Sequence, residues 1–284
     1  MTYNRPRNCA SMLHLISPIT ASGKTVWAVG LIRALLHCGL QVRPFKAIGE
    51  GEPGPGNPVC SAALHMAAAA ELTPDADLNP VVVMPVDHDH AEVWLFGDRL
   101  GTVRRVGRDM PILTDLGPAA FSMVQIEIQS ALERCRAQSQ LVISEGAGAA
   151  TELNDIGVAD IANIQLGAIA DATVLVARTS RGGALAALHG CYSRLPVDVV
   201  SRLRGVVLND VRVMPMETAR SLAMWAETAN LEVLSILPRL SFFDGRSSHD
   251  AFTAGSREDH DILGAAVGDS LHWMALASWL GFSL

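Results

Sequence analysis

The chain has 284 residues, 49% of them apolar and 18% charged, with 22 Lys and Arg against 29 Asp and Glu for a formal charge of −7. A chain this apolar buries a substantial core, which excludes wholesale disorder. Its negative balance argues against a general nucleic-acid or anionic-membrane binder, which needs a basic face.

In chain order, strands are predicted near Met12–Ser17, Leu40–Phe45, Val81–Met84, Val93–Phe96, Leu141–Ser144, Thr173–Ala177, Gly205–Leu208 and Glu232–Ile236. Most are apolar throughout, the mark of strands covered on both faces in a parallel sheet. Helices are predicted near Lys24–Cys38, Ser61–Leu72, Pro118–Gln138, Ala184–Leu195 and Met216–Asn230, with Gly39 ending the first of them. The alternation predicts an α/β, doubly wound, mostly parallel sheet over residues 10–242. Residues 243–284 then form a C-terminal loop and a packing helix, the mostly apolar Ile262–Phe282. That helix packs either on the core or on another subunit. The Gly- and Pro-rich Gly49–Pro58 is expected to be an irregular loop, either a surface connection or a lid.

The sharpest local signal is Ser17-Pro18-Ile19-Thr20-Ala21-Ser22-Gly23-Lys24-Thr25, between a predicted strand and a predicted helix. A tight loop there aims backbone N–H groups at phosphate oxygens. Lys24 suits the β and γ phosphates, and the Thr25 hydroxyl suits Mg²⁺. The strict G-x-x-x-x-G-K-[ST] pattern is broken at its first glycine, where Pro18 stands. A second element, Leu141-Val142-Ile143-Ser144-Glu145-Gly146-Ala147-Gly148, delivers a carboxylate at the end of a buried strand, where open α/β sheets bind ligands. Glu145 is thus a candidate to share the Thr25 metal. Lys46 ends a strand expected to neighbour the first, so it is a candidate to face the reacting group.

Other groupings carry weaker chemistry. Asp87-His88-Asp89-His90 is either a polar turn, a substrate contact or part of a metal site that needs a third partner. Arg104, Arg105 and Arg108 form either a solvated basic face or an anion contact. Five cysteines, at 9, 38, 60, 135 and 191, form no C-x-x-C pair and read as buried thiols of a reducing compartment. The first residues lack the apolar run and cleavage site of a secretion signal. No uncharged apolar stretch reaches the ~20 residues that span a bilayer, so a cytoplasmic setting is expected.

Taken in order, these motifs resemble the superfamily of dethiobiotin synthetase and the synthetase domains of the cobyric acid and cobyrinic acid amide synthases. The resemblance rests on the Gly23-Lys24-Thr25 loop, Pro44-Phe45-Lys46, Asp77-Leu78-Asn79-Pro80, Glu145-Gly146-Ala147-Gly148 and Asp160-Ile161-Ala162-Asn163. It continues through Ala170-Asp171-Ala172, Arg181-Gly182-Gly183, Gly205-Val206-Val207-Leu208-Asn209 and Leu237-Pro238. It implies a P-loop NTPase-like fold of the dethiobiotin synthetase kind, ATP and Mg²⁺ as cofactors, and a homodimer. The implied partner is a small carboxylate or diamine substrate. The chemistry implied is phosphorylation of a carboxylate or carbamate oxygen, then closure to an amide or a cyclic urea, the latter in biotin biosynthesis. By the same resemblance Lys24, Lys46 and Glu145 are catalytic, and Thr25 and Glu145 hold metal. Thr20, Ser22, Gly23, Lys24, Thr25, Val26, Asn209 and Pro238 contact the nucleotide, with Asn209 on the adenine edge. Asp160 and Arg181 are placed near the nucleotide, with the alternative that Asp160 caps a helix.

Four positions depart from the family pattern. Ser17 stands at the loop's first glycine, and Pro58, Ala63 and Met66 stand where the cobyric branch has a Glu and an Ala-Gln helix. Met84 stands at a family lysine, and about 45 residues follow Pro238 without a cysteine, so no glutaminase domain is expected there. Two other functions share these residues: a non-catalytic family member that binds a ligand or partner, and a nucleotide-switch ATPase. The switch ATPases carry an early lysine in the loop, absent from Ser17–Ser22.

Overall fold

The continuous apolar runs become parallel strands because each must be covered on both faces. A computed structural model of the chain describes residues 10–52, 59–106, 110–180, 182–241 and 256–283. Its strands are β1 Ser11–Ile16, β2 Val42–Phe45, β3 Ile48–Glu50, β4 Val81–Pro85, β5 His90–Leu95 and β6 Asp98–Val106. They continue with β7 Met110–Pro111, β8 Leu141–Glu145, β9 Ala172–Arg178, β10 Leu203–Val211 and β11 Glu232–Pro238. The helices of two turns or more are α1 Lys24–His37, α2 Ser61–Ala69, α3 Pro118–Ala137, α4 Ala184–Tyr192, α5 Met216–Thr228, α6 Arg257–Ser270 and α7 Trp273–Leu280.

Six strands form one sheet in the order β11-β10-β9-β1-β8-β2, every neighbouring pair parallel. The chain runs from β1 out to β2, returns to β8, and from β9 onward builds the other side of β1. β1 and β8 therefore stand where the winding reverses, the place at which such sheets open a crevice. The expected adjacency of β1 and β2 is corrected: β8 lies between them and pairs with both. Pairing is a choice among distant segments, and local pattern carries no record of it.

A second sheet, β3-β4-β5-β6-β7, is antiparallel apart from its β3–β4 pair. Two of its strands match predicted ones; β3, β6 and β7 were not predicted. The charged alternation of β6, DRLGTVRRV, hides its buried face. Asn79 ties the two sheets: its Nδ2 donates to the carbonyls of Lys46 and Val81, and its Oδ1 accepts from the Cys60 N–H.

The C-terminal segment packs on the core of its own chain, in two helices instead of one. Leu263, Val267, Leu271, Leu276 and Leu280 join the apolar cluster that holds Trp27, Leu31 and Ile32 of α1. A Cβ on Gly30 would stand 2.5 Å from Val267 Cγ2, and one on Gly264 would stand 2.8 Å from Arg33 Cγ, so the helices cross closely. Arg33, 1% exposed, pins the crossing through Glu71 at 2.8 Å and Asp261 at 2.6 Å. Leu271 breaks the segment because it adopts an extended conformation and bridges Ser235 at the edge strand. Among the described cysteines Cys60, Cys135 and Cys191 are buried as expected, whereas Cys38 is exposed at the end of α1. Most of the Gly49–Pro58 loop and of the 243–259 loop lies outside the described residues. Among the described residues no helix is long and apolar enough to cross a membrane.

Candidate phosphate and metal site

The loop between β1 and α1 turns through Ala21 at φ 59° and Gly23 at φ 84°. Gly23 is required twice over, since a Cβ there would also lie 1.8 Å from Asn209 Nδ2. Ser17, where the family's loop has its first glycine, does not adopt a left-handed φ, so it is tolerated without backbone strain. Its buried hydroxyl has a task instead: it accepts from Lys24 Nζ at 2.6 Å and donates to the Ile19 carbonyl at 2.9 Å. Lys24 Nζ also donates to the Gly148 carbonyl at 2.8 Å, which joins the loop to the segment after β8. Ser22 Oγ donates to the Ile19 carbonyl at 2.6 Å and closes the turn. Among the described residues no side chain caps α1, so its first N–H groups remain for an anion.

Glu145 is the meeting point. Parallel register sets Leu15 beside Glu145 and Phe45 beside Ser144, which brings Lys46 alongside the carboxylate. Glu145 Oε1 accepts from Thr25 Oγ1 and from Lys46 Nζ, each at 2.9 Å, and Lys46 also donates to the Gly146 carbonyl at 3.0 Å. Glu145 Oε2 is buried with no hydrogen-bond partner among the described residues. A buried charged oxygen left bare is costly unless a ligand completes it. The donors at hand, a hydroxyl and a carboxylate, are hard oxygen ligands. Among the described residues no cluster of three or more His, Cys, Asp or Glu is arranged to hold a metal. Mg²⁺ matches that sparse set, because it is held by one or two protein oxygens with phosphates and water for the rest.

A buried network that the motifs only hinted at supports the Glu145 loop. A Cβ on Gly146 would lie 2.1 Å from Asn163 Oδ1, and Asn163 Nδ2 donates to the Ala147 carbonyl at 2.6 Å and to Asp160 Oδ2 at 2.9 Å. Asp160 Oδ1 in turn accepts from the Asn163 N–H, so Asp160 caps the π-helical turn Ile161–Gln165, the capping alternative of its two expected roles. Burial pushes its carboxyl up to about 6, against the pull of the Asn163 hydrogen bonds. On the other side of Glu145, His14 Nδ1 is 2.9 Å from Ser144 Oγ, and burial lowers the ring to about 3, so it is neutral at pH 7. The Asp-x-x-Asn spacing was the available signal for the first pair; His14 gave none.

The remaining candidates fall as follows. Asn209, on β10, reaches across to the loop and donates to the Ser22 carbonyl at 3.1 Å. Thr20 sits half-buried in the turn, with no part in the Glu145 contacts. Val26 points its side chain into the core, so only its backbone is available to a nucleotide. Pro238 is exposed at the end of β11, paired in register with Val211, two residues beyond Asn209. Ala63 and Met66 are buried in the core. Pro58, Arg108 and Arg181 lie outside the described residues. Asp87–His90 forms an exposed turn: Asp87 Oδ1 accepts the N–H groups of Asp89 and His90 at 2.8 Å each. Arg104 pairs with Asp115 in solvent. A separate groove of about 330 Å³, lined by Leu185, Leu208, Val211, Met214 and Leu222, opens on the sheet face opposite α1.

A curated cobyric acid synthase from Methylorubrum populi is 31% identical to the chain over 221 residues, 76% of this chain and 43% of the relative. A probable cobyric acid synthase from Methanococcoides burtonii is 31% identical over 265 residues, 89% of this chain and 50% of the relative. The chain belongs to the cobyric acid synthase superfamily. It spans about half the length of these curated relatives. This similarity lies with cobyric acid synthases and lends no support to a place in biotin biosynthesis. No protein-family model matches the chain. Among solved structures, a Cyanothece McdA variant in complex with ATP superposes with a TM-score of 0.50 at 14% identity, over 98% of both chains, a likeness of fold alone. The α/β P-loop fold expected from the motifs is thus the fold observed.

Proposed function

We propose that this member of the cobyric acid synthase superfamily is an ATP-dependent, Mg²⁺-requiring ligase that activates a substrate carboxylate for amide formation. The observation that carries the proposal is the convergence of Thr25 and Lys46 on one oxygen of Glu145, with the other oxygen buried and bare beside the phosphate loop.

The residues divide the work. Backbone N–H groups of the loop and of α1 bind the phosphates, and Lys24 swings from Ser17 and Gly148 to neutralise them. Thr25 and Glu145 would hold Mg²⁺, which supplies charge neutralisation across the phosphates. Lys46 is held by Glu145 at the end of β2, where it orients the oxygen that receives the γ-phosphoryl group. In-line transfer yields an acyl phosphate and ADP. Attack by ammonia at the activated carbonyl then expels phosphate and forms the amide. Met84, on the second sheet where the family has a lysine, leaves one cation fewer for the substrate.

Isothermal titration with ATP and Mg²⁺ should give one site per chain, and Lys24→Ala should lose it. Hydroxylamine should trap an acyl phosphate when a carboxylate substrate is supplied with ATP. Unaltered ATP affinity in Lys24→Ala would refute the site. ATP hydrolysis with no trapped product under any carboxylate would favour the nucleotide switch, and ATP binding with neither would favour the non-catalytic reading.

A further inference from the structure

A second charged cluster lies at the strand ends on the Asn209 side, and the phosphoryl chemistry above makes no use of it. Asp210 follows Asn209 on β10 with φ 57°, in the left-handed region that Asp tolerates better than most side-chain-bearing residues. What holds it is on either side. Its Oδ2 accepts from Arg178 Nε at 2.8 Å and lies 2.7 Å from Arg178 Nη2, and its Oδ1 accepts from Arg239 Nη1 at 3.1 Å. Arg178 ends β9 and Arg239 follows β11, so one carboxylate clamps the ends of three adjacent strands. The backbone is tied in the same way. Thr179 donates its N–H to the Asn209 carbonyl at 3.0 Å and its hydroxyl to the Asp210 carbonyl at 3.2 Å, and the Arg239 N–H donates to the Val211 carbonyl at 2.8 Å.

The clamp lies next in sequence to Asn209, whose backbone carbonyl the Thr179 N–H holds. With one Nδ2 hydrogen spent on the Ser22 carbonyl, the amide keeps one N–H and its Oδ1. A donor beside an acceptor complements the N7 and 6-amino edge of adenine and mismatches the two acceptors of guanine. A strand end that drifts would lose that match first, because it depends on direction, while phosphate contacts on the far side of the loop would persist.

We propose that Asp210 is a positioning residue for base selection: by clamping Arg178 and Arg239 it fixes the Asn209 amide against the phosphate loop and so sets a preference for adenine over guanine nucleotides. This rests on the reading of the loop as an ATP site. Three variants of the full chain, Asp210→Gly, Asp210→Asn and Arg239→Gln, test it by titration with ATP and with GTP, each with Mg²⁺. Glycine takes the same φ freely and removes the whole side chain; asparagine tolerates the φ, loses the charge and keeps one acceptor. Wild type should prefer ATP, and Asp210→Gly should shrink the ATP-to-GTP affinity ratio by about tenfold, chiefly through weaker ATP binding. Asp210→Asn should fall between, and Arg239→Gln, which leaves the backbone of residue 210 untouched, should shift the ratio in the same direction. A wild-type ratio in Asp210→Gly and Arg239→Gln, or equal loss of both nucleotides, overturns the proposal while leaving the ATP site standing. A wild-type chain that binds neither nucleotide overturns both.

Discussion

The two ends of the candidate site are held by opposite electrostatic designs. At the phosphate end, two donors crowd onto one oxygen of Glu145 and leave its other oxygen bare in a buried setting. At the Asn209 end, Asp210 is satisfied on both oxygens by two arginines. The first arrangement is incomplete without a ligand; the second is complete without one. An unfinished coordination set marks where chemistry occurs, and a finished ion-pair cluster marks where geometry is kept.

Substitutions that separate these two roles differ widely in expected size. The largest effect belongs to Lys24→Ala, which should weaken ATP binding or turnover by about 100-fold or more without unfolding the chain, as read by titration and by circular dichroism. A chain that loses its fold instead would show that the lysine serves the loop and not the ligand. Glu145→Gln comes next, because it strands the buried Lys46 ammonium. Urea unfolding should show a loss of about 3–5 kcal/mol, together with loss of Mg²⁺-dependent turnover. Lost turnover at unchanged stability would argue that Lys46 is not anchored by this carboxylate.

A smaller effect is a pH dependence with two opposing parts. Asp160, raised from 3.8 to about 6 by burial, contributes stability that is present below pH 3.8 and lost as pH rises through 6. His14, lowered from 6.5 to about 3 by burial, contributes stability that is present above 6.5 and lost as pH falls towards 3. In Asp160→Asn the first part disappears. The stability of that variant relative to wild type should therefore improve as pH rises from 4 to 7, by roughly 1.4 kcal/mol per unit of pKa shift removed. A difference independent of pH would show that Asp160 is not buried as charged and capped here. Smallest of all is Arg104→Ala, which breaks an exposed pair with Asp115 and should change stability by less than about 1 kcal/mol and leave turnover alone.

Much of this is legible in the sequence. The phosphate loop announced itself through Gly23-Lys24-Thr25 at a strand-to-helix junction, and Glu145 through its place at the end of an apolar strand. Both are local signals, because turn chemistry and apolar run length need only neighbours in the chain. The second sheet was half missed for the converse reason: β6 carries charge along its length and buries only Val103, and its two-residue partner β7 has no pattern at all. Ser17 looked like damage to a motif, yet its hydroxyl proved to be a seat for Lys24, which only a folded loop discloses.

The residues themselves determined a parallel α/β sheet, a phosphate-shaped bend near position 20 and the identity of the side chains that meet there. What they left open was strand order. That β8 sits between β1 and β2, so that Thr25 from one side and Lys46 from the other reach the same oxygen of Glu145, was decided by tertiary pairing. The clamp of Arg178 and Arg239 on Asp210 was decided in the same way. The physical reason is one of range: propensity and turn geometry act over a few residues, whereas register and the meeting of charges distant in sequence exist only once the sheet has closed on its order.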